Sequence, residues 1–392
     1  MVIHEDKIAY AGAQSSIPAK FRSLTFTKVP VIMPGLWDCH VHFDGAPPVG
    51  GGQYDGIPLN HALAAARVVR SLEDTLLAGF TSVRELAGYG GEISPAIDEG
   101  SIVGPNVYSS IAALSTTGGH GDIHQLGLDA VINLGDNQGV FQLCDGVPEC
   151  IKAVRKMIRR GAKVIKVCAT GGVGSLRDDP EDTQFSLEEL KAIVDEAARN
   201  KRVVAAHCHG KQGILNALNA GVKSIEHGSY LDKECAALMK EKDAIFVPTR
   251  TIVVGGVEHP EFWSEVQYAK LLVVAASSKK AYTLAIKSGV KIALGTDQSS
   301  PPGSFNSHGM NGKELWHAVD TGMTPLQAIE ACTATSPETL GRHMSPKSGQ
   351  LKEGYDADLI AVSTNPLDDI SILTGPDHIT HVWKGGKLFK SP

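Results

Sequence analysis

Two histidines separated by one residue, in Asp38-Cys39-His40-Val41-His42, close an apolar run that begins at Val31. Residues two apart on a strand project to the same side, so His40 and His42 can offer two neutral imidazoles to one metal ion from a rigid element. A His-x-His pair alone has many innocent occurrences. Four further residues change its weight. Lys166 lies inside Val164-Ile165-Lys166-Val167-Cys168, where an unpaired ammonium would be costly. His207 closes the run that begins at Arg202, His227 the run from Lys223 and Asp297 the run from Lys291. Each has a bland reading by itself: a strand lysine can snorkel, a lone histidine can be a satisfied core residue, and an aspartate can cap the next loop. Chance would have to supply all of them, in this order, at the ends of successive runs.

The elements that must position these residues are readable as strands alternating with helices. Apolar β-type runs start at Val31, Phe80, Asn106, Lys163, Arg202, Lys223, Ala244 and Lys291, which makes eight. Amphipathic stretches separate them, such as Ser186 to Asn200, which opens with a serine N-cap and Glu189 three residues on. Near-continuous apolar strands alternating with helices mean a parallel sheet covered on both faces, and eight such units favour a closed (β/α)8 TIM barrel, an α/β fold. In such barrels the catalytic groups sit at the C-terminal strand ends, where the candidates fall. Residues 1–33 and 346–392 read differently, with short alternating runs, turn residues and no long helix. They are expected to form one small β-sandwich from both termini, beside a barrel spanning 34–345.

Composition narrows the classes. At 392 residues, 42% hydrophobic and 20% charged, the chain is an ordinary globular protein with room for one large barrel and a satellite domain. A net charge of -6 gives no electrostatic case for nucleic acid or an anionic membrane. No apolar run approaches the roughly 20 residues that cross a bilayer. The stretch from Met1 to Ala13 lacks the order of a signal peptide and reads like the inside of a β-domain, which leaves room for a start upstream and the compartment cytoplasmic or secreted. The seven cysteines include no CxxC pair, so neither a disulfide framework nor a Cys-based zinc site is expected.

The order His-x-His, Lys, His, His, Asp resembles the amidohydrolase superfamily, as does Glu353-Gly354-Tyr355-Asp356-Ala357-Asp358-Leu359 near the end. That resemblance implies two divalent metal ions, zinc by expectation: His40, His42 and Asp297 on one, His207 and His227 on the other. It further implies a carboxylated Lys166 bridging both, an anion lodged between cations. A bridging water would become hydroxide near neutral pH and attack a polarised carbonyl, with Asp297 moving its proton to the leaving amine. Phrases such as Leu114-Ser-Thr-Thr-Gly-Gly-His120-Gly-Asp122, Ile225-Glu-His-Gly-Ser-Tyr230 and His381-Val-Trp-Lys-Gly-Gly-Lys-Leu-Phe389 resemble the peptidase-like branch, which takes in Xaa-Pro dipeptidases and fungal ochratoxinase. The implied substrate is a small-molecule amide or dipeptide whose amine side is an amino acid with a free carboxylate, ochratoxin A included. The protein is expected to be a homo-oligomer with no nucleic-acid or membrane partner.

Three residues fit such a substrate: His120 and Tyr230, to donate to the scissile carbonyl or hold the carboxylate, and His209, two residues after His207, to contact substrate or support the metals. Arg177 and Arg250 follow strand ends and suit either a carboxylate or the surface. Val254 to Tyr268 is aromatic, reads as a loop and is expected to form a lid. Asp122 and Asp178 read as turn residues. The stretches between Gly121 and Val147 and from Gln298 to His308 depart from the branch's pattern at the mouth. A cyclic amidase of the same superfamily would keep Lys166 too, whereas a non-catalytic assembly protein of this fold would lack ligands that are all present here.

Overall fold

The computed structural model describes residues 1–45, 61–137, 139–300 and 303–392. The apolar runs become strands because they are buried on both faces. β4 (Leu36–Val41) and β5 (Phe80–Glu85) have every residue buried, as do β9 (Ile165–Cys168), β10 (Val204–Cys208), β11 (Ser224–His227) and β12 (Ile245–Val247). β5 pairs in parallel with β4 and with β6 (Asn106–Ser109); β7 (Ala113–Ser115), β9, β10, β11, β12 and β13 (Lys291–Ile292) form a second parallel run. The ring closes between β4 and the segment after β13 through Cys39 N to Leu294 O at 2.8 Å, Asp297 N to His40 O at 2.7 Å and His42 N to Gln298 O at 2.8 Å.

The third apolar run differs from the expectation of one straight strand. It breaks into β6 and β7 at Ile111, whose φ of 72° turns the chain. β7 then pairs with an added strand, β8 (Phe141–Leu143), which comes from one of the two stretches that depart from the branch's pattern. The first run also divides, into β3 (Val31–Pro34) and β4. β3 leaves the barrel and joins β14 (Leu359–Val362), β15 (Ile379–Lys384) and β16 (Lys387–Lys390) in an antiparallel sheet. The N-terminal hairpin of β1 (Val2–His4) and β2 (Lys7–Tyr10) packs beside it, with Ile8 N on Tyr355 O and Ala357 N on Asp6 O. Ile8, Ala357 and Leu359 form its buried centre. Strands from both termini thus build one small unit; a division at 33/34 and 345/346 is our proposal for its boundary.

The helix Leu187–Arg199 opens with the expected capping box of Ser186 and Glu189 and buries Leu190, Ile193 and Ala197. The expected lid loop is mostly helical. Arg250–Glu258 is a helix, Pro260–Phe262 a single 3-10 turn, and Ser264 and Gln267 cap the long helix Glu265–Ser288. Its aromatic side chains meet Phe305 from the loop after Asp297: His259 at 5.4 Å, Phe262 at 5.3 Å and Trp263 at 6.5 Å between ring centroids. Pro301 and Pro302 of that loop lie outside the described residues. Among the described residues no helix is long and apolar enough to cross a membrane.

Candidate metal centre

Strand alternation alone would send Glu226 and His227 to opposite faces. The backbone of His227 instead adopts φ 69°, a left-handed conformation disfavoured for a side chain with a Cβ. The twist lets both neighbours serve the barrel's interior: Glu226 accepts from Arg84 at 2.7 Å and meets His40 Nδ1 at 2.9 Å, while His227 lies 5.0 Å from the His40 ring. Asp297 shows the same device at φ 62°, where it reaches His40 of β4 and His42 just beyond it. Such strain costs on the order of 1–3 kcal/mol per residue and persists where surrounding contacts over-determine it.

The structure brings the sequence candidates to one mouth. Asp297 Oδ1 lies 3.0 Å from His42 Nε2 and 3.5 Å from His40 Nε2, and Lys166 Nζ lies 3.4 Å from His40 Nε2. The His207 and His227 rings are 4.6 Å apart, and His209 stacks on His227 at 5.0 Å. Donor atoms of His40, His227 and Asp297 fall within 4.8 Å of one another, and so do those of His207, His209 and His227. His227 is common to both groups. His209, expected at the substrate, therefore also stands where a ligand could.

The donor chemistry fits divalent ions. Each ring has one nitrogen anchored by protein: His40 Nδ1 on Glu226, His42 Nδ1 on Ala87 O at 2.8 Å, His207 Nε2 on Gly171 O at 3.1 Å, His209 Nδ1 on Ser229 Oγ at 2.8 Å, and His227 Nδ1 on Thr249 Oγ1 at 2.7 Å. Fixing one nitrogen orients the other, which is how metal-binding histidines are held. Burial pushes His40 down to about 4 and His209 to about 3, and drives His207 and His227 well below the ordinary imidazole value. These four rings are neutral, as ligation requires, whereas at His42 burial is outweighed by Asp297 and the ring is raised. Burial opposes the charge on Asp297, but His40, His42 and Lys166 outweigh it and hold the carboxyl at about 2. Burial also lowers the Lys166 amine, against the pull of Glu226.

The remaining candidates divide. His120 is buried and stacks on His207 at 4.2 Å, with Nδ1 2.8 Å from Ser175 Oγ. Tyr230 is half-buried, and that burial raises its hydroxyl above the ordinary tyrosine value. Arg177 is exposed, and Arg250 donates to Ser278 Oγ at 2.7 Å. Asp122 is the turn residue it reads as, accepting from Gly118 N at 2.8 Å. Asp178 is more than that: it binds Lys270 at 3.1 Å and caps Gly172 N. Sequence reading missed Glu226, Arg84 and Asp38. Asp38 accepts from His40 N, Thr296 N, Thr296 Oγ1 and Asn311 Nδ2, and so straps β4 to the segment carrying Asp297. The one signal for these three was their type: charged residues inside runs otherwise apolar.

Residues 31–389 match the amidohydrolase family model. The chain belongs to the amidohydrolase family. Within it, the chain is 50% identical to the ochratoxinase of Aspergillus niger, covering all of this chain and 83% of that protein. The crystal structure of A. niger ochratoxinase superposes with a TM-score of 0.92 over the whole chain and 90% of that one, at 48% identity. A Xaa-Pro dipeptidase with bound methionine in its active site aligns with a TM-score of 0.82 at 33% identity, over 92% of this chain and 87% of that one. A prolidase complexed with N-methylphosphonate-L-proline gives 0.89 at 30% identity, over 100% and 94%. These amidohydrolase relatives establish the barrel with its accompanying sheet unit, and a hydrolase acting on amide bonds.

Proposed function

We propose that this amidohydrolase is a binuclear-metal enzyme that cleaves the amide bond of N-acyl amino acids or dipeptides with a free carboxylate. One observation carries the reading: five histidines, each anchored through one ring nitrogen, converge with Asp297 and Lys166 on a single mouth. His40, His42 and Asp297 would hold one ion, His207 and His227 the other, and imidazole nitrogen with carboxylate oxygen suits zinc. Lys166 would bridge them as a carbamate. Its amine nitrogen attacks the carbon of carbon dioxide and loses a proton, a reaction open only to the neutral amine that burial favours. The ions, when bound, polarise the scissile carbonyl and lower the pKa of a water held between them.

Asp297 is the chain's own general base. Its Oδ1 is engaged with His42, leaving Oδ2, 4.0 Å from His227 Nδ1, to take a proton from the attacking water and return it to the leaving amine nitrogen. His120, beside His207, and Tyr230 at the rim are assigned to the substrate; His209 supports the same face. The names of the relatives, ochratoxinase and prolidase, support an amide whose amine side is an amino acid.

The test is substrate polarity. N-acyl phenylalanine should be cleaved, and its methyl ester or amide should be poorer by roughly 30- to 5,000-fold, because donors built for a carboxylate are left unmatched when the charge is gone. Equal cleavage of acid and amide, or activity confined to cyclic imides and lactams, would hand the substrate to the cyclic-amidase reading.

A further inference from the structure

We propose that Lys270, Asp178 and Ser175 are positioning residues that hold His120 in one orientation and one tautomer, with its proton on Nδ1. The inference rests on the assignment of His120 to the substrate. Lys270, on the helix Glu265–Ser288, spends its ammonium on the loop that follows β9: Gly172 O at 2.7 Å, Ser175 O at 2.6 Å, Asp178 O at 3.0 Å and Asp178 Oδ1 at 3.1 Å. Gln267, one turn earlier, donates to Gly174 O at 2.5 Å. The loop is thereby tied to a helix about 100 residues away in sequence. Asp178 Oδ2 accepts from Gly172 N and Gln184 Nε2, each at 3.1 Å, and Gln184 Oε1 accepts from His120 N at 2.9 Å.

The tautomer follows from counting protons. A serine hydroxyl carries one, and an ionised carboxylate only accepts. Ser175 Oγ is in close contact with Asp178 Oδ1 and lies 2.8 Å from His120 Nδ1, while its approach to Gly172 O is longer at 3.3 Å. The serine proton therefore goes to Asp178, and Ser175 Oγ accepts from His120 Nδ1–H. Burial opposes the Asp178 charge, but the Lys270 ammonium at 3.1 Å, the Ser175 hydroxyl and the N–H donors of Gly172 and Gln184 keep the carboxyl ionised. The ring is packed against Gly172, where a Cβ would lie 2.3 Å from His120 Cε1, and against the His207 ring at 4.2 Å. In the neutral ring Nε2 then bears no proton. Toward the substrate His120 is then an acceptor, for the N–H of the amide or the departing amine, and donates neither to the scissile carbonyl nor to the carboxylate, which are left to other donors such as Tyr230.

Long-range nitrogen NMR of the full chain with labelled histidine, assigned by His120→Gln, reads the tautomer directly and needs no substrate. Wild type should show Nδ1–H at His120, and Ser175→Ala or Lys270→Met should admit the Nε2–H form at unchanged metal content. With N-acyl phenylalanine as probe, Ser175→Ala should lower kcat/KM about 10-fold, the scale of one hydrogen bond, and Ser175→Thr should restore it. An Nε2–H ring in wild type, or a Ser175→Ala protein with unaltered tautomer, overturns the proposal. If N-acyl amino acids prove not to be substrates, the NMR result still decides it, so the two readings fail separately.

Discussion

The mouth has two halves held by different forces. Around β4 and the segment after β13, His40 and Asp297 rest on buried charge, the Arg84–Glu226 pair beneath His40 and Asp38 strapping the two segments, while His42 beside them is anchored on the carbonyl of Ala87. At the ends of β10 and β11, His207, His209 and His227 rest on neutral groups, a carbonyl of Gly171 and the hydroxyls of Ser229 and Thr249. A carboxylate partner makes an imidazole more basic as well as oriented, whereas a hydroxyl mainly orients it. The difference also sets fragility. Removing a member of a buried ion pair strands its partner's charge, but removing a hydroxyl forfeits one hydrogen bond.

The contrast can be broken by substitution. Glu226→Ala leaves the Arg84 guanidinium, wholly buried, without its partner, and should cost about 3–5 kcal/mol of stability by denaturant titration. A cost under about 1 kcal/mol would mean the two halves are held alike. Asp297→Asn keeps an oxygen to ligate metal but loses the base, so metal content should partly persist while kcat falls by about 10²-fold or more. Near-normal turnover would move the base elsewhere. Thr249→Val unties His227 Nδ1 and should weaken metal retention by roughly 10-fold in a chelator competition, with about 1 kcal/mol lost in stability. Ser229→Ala should do least, a few-fold at most, since His209 is assigned to support. A larger loss of metal there than in Thr249→Val would make His209 a ligand.

Which residues are legible in the sequence follows from how each half is built. His40, His42, His207, His227 and Asp297 mark the ends of apolar runs, with Lys166 inside another near its end, and a barrel converts run ends into one mouth, so their order in the chain foretells their meeting. Glu226 and Arg84 are hidden by the same periodicity. They sit inside the runs, and the left-handed conformation that puts Glu226 and its neighbour to work together falls on His227 itself, ahead of the glycine at 228 that would mark a turn. Lys270 is hidden differently, since a lysine on a helix reads as solvated until the loop it clamps is seen beside it. The break at Ile111 and the added strand Phe141–Leu143 were likewise invisible, because a short apolar strand carries the same pattern whichever sheet neighbour it finds. Val254 to Tyr268 reads as loop, although the helix Arg250–Glu258 and the start of the helix Glu265–Ser288 occupy most of it, because aromatic and glycine content masks the capping box at Ser264.

Metal analysis of the purified full chain, with Lys166→Ala beside it, tests the central claim most directly. Two equivalents of a divalent ion per wild-type chain, with at least one lost together with nearly all activity in Lys166→Ala, is the predicted result. Wild-type protein that binds no divalent metal tightly would contradict it.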